Sequence, residues 1–158
     1  MRFSLASIVL AFVAGLLLTP LGPANAQDTP QPSPNPAIFK SQLIQFTQLT
    51  RKNILDIQAL PVDDDSIPVD PRVRDSARRA YILIRAAWWG TDLAIQKQST
   101  SYQDPMLALA NKRLNQARDL ARYPVDSIYG PRAEYVSKSV ESLSHSLRLV
   151  QQVLVILP

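Results

Sequence analysis

Few side chains in this sequence are equipped for chemistry, and their spacing limits what they can do. His145 is the only histidine, and Met106 is the only methionine besides Met1. A b-type haem needs two axial ligands, such as His and Met, on opposed helices. Met106 opens one predicted helix and His145 lies near the middle of another, so their heights do not match. Ser142, Ser144 and Ser146 surround His145. Residues one or two apart on a helix point in different directions, so Ser144 and Ser146 do not pair with His145. Di-iron bundles need Glu and Glu-x-x-His on facing helices, and Glu134 and Glu141 are the only glutamates. Asp63, Asp64 and Asp65 form an acidic run without the alternation, central Gly and closing Glu of an EF-hand. They read as a solvated loop. The four glycines build no phosphate-binding loop. The expectation is no enzyme activity, no metal, no cofactor and no small-molecule substrate.

One surface feature remains. Arg74, Arg78 and Arg85 fall within about 40° of one another on a helix turning 100° per residue. Trp89 lies one turn beyond Arg85, near the same edge, and points away from Trp88. Arg and Trp are the types most enriched at interface hot spots. These four residues are the candidate docking surface for a protein partner.

The elements that must carry them can be read from the prolines and the apolar spacing. Val136, Val140, Leu143, Leu147, Val150, Leu154 and Leu157 follow steps of four and three, the spacing of a coiled-coil seam. This predicts a long helix over 132–157. Three further Pro-free stretches lie upstream, over 37–60, 72–104 and 106–123. Each of the four is preceded by a matching dipeptide: Asn35-Pro36, Asp70-Pro71, Asp104-Pro105 or Gly130-Pro131. Asn, Asp and Gly suit an N-cap and proline suits the first helical position. The predicted inner faces include Phe39, Leu43, Phe46 and Ile57 on the first helix. Ala80, Tyr81, Ile84 and Trp88 serve on the second, and Met106, Leu109, Leu114 and Ala117 on the third. Gly90 is expected to bend or end the second helix, since Gly is unfavourable inside one. The fourth turns apolar nearly all round after Leu149. Its end, Val153 to Leu157, is then either buried or a second candidate contact surface. The fold class expected is all-α, a four-helix up-down bundle.

The 158-residue chain contains no cysteine and carries a formal charge of +4. That charge is too small and dispersed to indicate nucleic acid. Arg2, the apolar run Phe3–Leu18 and the small residues of Ala24-Asn25-Ala26 have the pattern of a secretory signal peptide over 1–26. An uncleaved anchor is the alternative. Residues 27–36, QDTPQPSPNP, read as a Pro-rich tether that stays extended and holds the folded part off. The folded domain then spans 37–158. Without cysteines, its stability has to come from packing.

The stretch Asp126–Leu147 resembles a segment of the Q-type extrinsic proteins of photosystem II. There an Ile-x-Gly-Pro precedes a helix ending in a Leu-Ser-x-Ser-Leu run, matched here by Ile128, Gly130, Pro131, Leu143, Ser144, Ser146 and Leu147. The chain departs from that family in two ways. Cyanobacterial members commonly carry a lipid-modified cysteine, and the family has two helices after this segment. The resemblance implies a thylakoid-lumen protein that docks on the oxygen-evolving side and supports stability or assembly without catalysis. Two other readings fit the outline: a free periplasmic helical binding or chaperone-like protein, and a haem-binding bundle.

Overall fold

The structure, a computed structural model, describes residues 29–63, 65, 68–99, 104–127 and 131–157. The predicted signal peptide lies outside the described residues. Those described form four long helices and one single-turn helix, with no strand among them. They are α1 (Pro36–Gln58), α2 (Pro71–Gln96), α3 (Pro105–Ala121), α4 (Tyr123–Asp126) and α5 (Arg132–Ile156).

The first three helices begin where the dipeptides place them. Asn35 Oδ1 accepts from the Ala37 N–H at 3.0 Å, Asp70 Oδ1 from Arg72 at 2.8 Å and Asp104 Oδ1 from Met106 at 2.9 Å. Each caps one of the orphan donors of a first helical turn. The last long helix, α5, differs. Pro131 occupies the cap position itself, without a side-chain acceptor. The acceptor comes from far along the chain instead: Asp65 Oδ1 takes the Arg132 N–H at 2.6 Å. Arg132 is buried, and its guanidinium reaches the Pro61 carbonyl at 3.4 Å. The acidic loop is therefore a cap for α5 as well as a solvated turn.

Each long helix packs on two neighbours. α1 lies against α2 and α5, and α3 lies against α2 and α5, with no packing across the diagonals. The core joins Phe39, Leu43, Phe46 and Ile57 to Ala80, Ile84, Leu114, Leu143 and Val150. Burial of such side chains contributes roughly 1.5–3 kcal/mol each.

Four predicted core positions are displaced outward. Met106 is 48 % exposed and Leu109 36 %, while Tyr81 and Leu147 are half-buried. On α5 the buried line runs through Tyr135, Ser139, Leu143, Ser146, Val150, Val153 and Leu157, rotated from the apolar seam. The cause lies on α3, whose facing residues include the small Ala110, Ala117 and Ala121. Serines opposite alanines let two helices approach closely, provided their hydroxyls find acceptors. Ser146 Oγ donates to the Ala117 carbonyl at 2.7 Å and Ser142 Oγ to that of Leu120 at 2.6 Å. Ser142 is thus an interhelical contact rather than a surface residue. At the end of α5, Val153 and Leu157 are buried and Val155 is 85 % exposed.

α2 runs unbroken through Gly90 to Gln96. Glycine stands there because the N-terminal segment crosses the helix. A Cβ at position 90 would lie 2.5 Å from the Ser33 carbonyl oxygen and 3.4 Å from the Phe39 side chain. Gln42 Nε2 also donates to the Gln31 carbonyl at 2.9 Å. The described part of the Pro-rich stretch therefore lies against the helices and does not stand off from them.

Candidate functional site

The regularity of α2 places Arg74, Arg78, Arg85 and Trp89 in one row, and all four line a groove of about 820 Å³. Tyr81 completes the row between Arg78 and Arg85. The order along the helix is Arg, Arg, Tyr, Arg, Trp at steps of four, three, four and four. Arg78 and Arg85 are exposed, and Trp89 is 45 % exposed. The adjacent Trp88 faces the other way, with the Arg118 guanidinium 4.1 Å from its ring centre. Arg118 also binds Asp119, so that cation is engaged on both sides.

Two other parts of the chain complete the groove. The docked N-terminal segment supplies Pro30 and Pro32, and the α3–α4 junction supplies Arg122, Val125 and Asp126. Arg122 and Asp126 form an ion pair within that junction. α4 is held by Tyr135, whose hydroxyl donates to the Pro124 carbonyl at 3.1 Å. Burial pushes the Tyr135 phenol above its ordinary pKa, with neighbouring Arg74 and Arg132 partly opposing the shift.

The electrostatics of the groove are one-sided. Among the described residues, no carboxylate lies within 4.0 Å of Arg74, Arg78 or Arg85. Arg74 Nε is buried with no acceptor among them. Asp75 also lines the groove. The arrangement offers guanidinium donors beside aromatic faces, which suits anion recognition.

The remaining chemistry-bearing residues lie elsewhere. His145 and Met106 are exposed and neither lines the groove. The hydroxyls of Ser142 and Ser146 are committed to carbonyls of α3. Among the described residues no group of His, Cys, Asp or Glu is placed to hold a metal ion, and no helix is long and apolar enough to cross a membrane.

Sequence reasoning found the arginines and Trp89 but missed Tyr81, Arg122 and the prolines. Tyr81 had a usable signal, since it falls about 20° from Arg74 on the same helical projection. Arg122 and the proline segment had none, because long-range packing alone brings them to α2. Comparison with protein-family models, with curated proteins and with solved structures found no match.

Proposed function

We propose that this chain is an exported, cofactor-free four-helix up-down bundle that acts as a binding or stabilising subunit. Its protein partner docks on the α2 face bearing Arg74, Arg78, Arg85 and Trp89. The observation that carries this reading is the row itself: three arginines without ion-pair partners among the described residues and a half-exposed tryptophan, all lining one groove. Exposed charge without internal pairing adds little to folding, whereas Arg and Trp are the side chains that dominate binding energy. The likeness of Asp126–Leu147 to the Q-type proteins supports the lumenal face of photosystem II as the partner and the thylakoid lumen as the location.

The test is co-purification of tagged protein with photosystem II from thylakoid membranes. Wild type should be retained, and Trp89→Ala should weaken retention by about 2 kcal/mol or more, as hot-spot truncations do. Arg78→Glu should slow association most at low salt, where steering is strongest. Recovery in a soluble periplasmic fraction without the complex would favour the free chaperone-like reading. A visible Soret band on adding haem would favour the haem-binding one.

A further inference from the structure

We infer that the groove recognises an extended acidic segment of a protein, its carboxylates gripped by Arg74, Arg78 and Arg85 and its apolar atoms covered by Tyr81 and Trp89. This rests on the docking reading above and adds the chemistry of what docks.

Charge is the first support. Arg122 has Asp126 as its counter-ion, but Arg74, Arg78 and Arg85 have none among the described residues, and Asp75 also lines the groove. A guanidinium matches a carboxylate in a planar, two-pronged bond. Arg74 Nε is buried without an acceptor.

Spacing is the second support. Arg74 and Arg78 are one turn apart, ~6 Å along the axis at 1.5 Å per residue. In an extended chain, side chains on one face recur every two residues, about 6.6 Å. Carboxylates two residues apart thus match this arginine pair. From Arg74 to Trp89 the row is ~22 Å long, room for roughly six or seven extended residues.

A flat anionic membrane fits less well. The arginines line a concavity, which an extended chain enters more closely than a flat layer of phosphates does. Tyr81, between Arg78 and Arg85, and Trp89 beyond them share the arginine row, where they can cover the aliphatic stems of acidic side chains.

Fluorescence anisotropy on the full chain tests this. The probe is a fluorescein-labelled peptide of about eight residues alternating Glu and Ala. Saturable binding is expected, lost when Gln replaces Glu in the peptide and weakened about tenfold or more by Arg78→Glu. Asp75→Asn should tighten it, a gain that misfolding cannot mimic. Equal binding of the Gln peptide, or no saturable binding at all, overturns the inference. So does Arg78-dependent binding to phosphatidylglycerol vesicles in place of the peptide. If the peptide fails while the native partner still depends on Trp89, the docking surface stands and only its acidic ligand falls. If Trp89→Ala and Arg78→Glu leave the native partner bound, the docking reading itself fails.

Discussion

Gly90→Ala separates the intrinsic preference of a helix from the demands of what crosses it. Alanine is favoured over glycine in a helix interior by about 0.8–1 kcal/mol, so considered alone the change should stabilise α2. The structure reverses that expectation. The new Cβ would stand 2.5 Å from the Ser33 carbonyl oxygen, and a relaxed carbon–oxygen contact needs about 3.3 Å. Ser33 must therefore retreat by roughly 0.8 Å. Pro32 and Pro34 flank it with φ locked by their rings, so a single torsion cannot absorb the movement. The segment 29–34 has to shift as a unit, and the hydrogen bond from Gln42 to the Gln31 carbonyl goes with it. Overpacking typically costs about 1–3 kcal/mol. Against the gain in helix propensity, the net expectation is a loss of about 1 kcal/mol. For a domain of this size that is roughly a 3–5 °C fall in Tm. The assay is thermal unfolding by circular dichroism together with amide exchange at residues 29–35, where protection should drop sharply. Repeating the substitution in a chain that starts at Asn35 should turn it stabilising. A higher Tm in the full chain, with exchange at 29–35 unchanged, would refute the contact between Ser33 and α2.

Two further expectations follow from the core. Leu143→Ala should cost about 2–5 kcal/mol in denaturant unfolding, and Leu147→Ala under about 2, because Leu143 is fully buried and Leu147 is not. Equal losses would place the α5 register back on the apolar seam. Tyr135 makes a pH prediction. Its folded pKa is raised above the ordinary 10.0, so folding favours the neutral phenol. That contribution is complete below the unfolded value and is lost as pH rises through the folded one. Stability should decline as pH rises above 10.0, and Tyr135→Phe should flatten the decline while costing about 1 kcal/mol at neutral pH for its bond to Pro124.

What the sequence disclosed was local. Asn35, Asp70 and Asp104 act within two residues of themselves, so a dipeptide is enough to reveal each cap. The arginine row was legible for a related reason: all its members ride on one helix, and helical periodicity alone aligns them. What stayed hidden depends on distant partners. Ser146 is buried because alanines of α3 face α5, which a count of apolar residues on α5 cannot show. Gly90 answers to Ser33, fifty-seven residues away. Asp65 caps α5 from sixty-seven residues away. The far side of the groove, with Arg122 and the prolines, exists only after the chain has folded.

The central claim is that the arginine–tryptophan face of α2 is where a partner docks. Site-specific photocrosslinking addresses it most directly. A photoreactive amino acid would be placed at position 89, at position 82 in the same groove, and at Val155 on the exposed end of α5. After irradiation in native membranes, positions 89 and 82 should crosslink to the same partner polypeptide, and Arg78→Glu in the same chain should abolish both crosslinks. Position 155 should give none. Crosslinks from position 155 alone, unaffected by Arg78→Glu, would move the contact to the end of α5 and contradict the account.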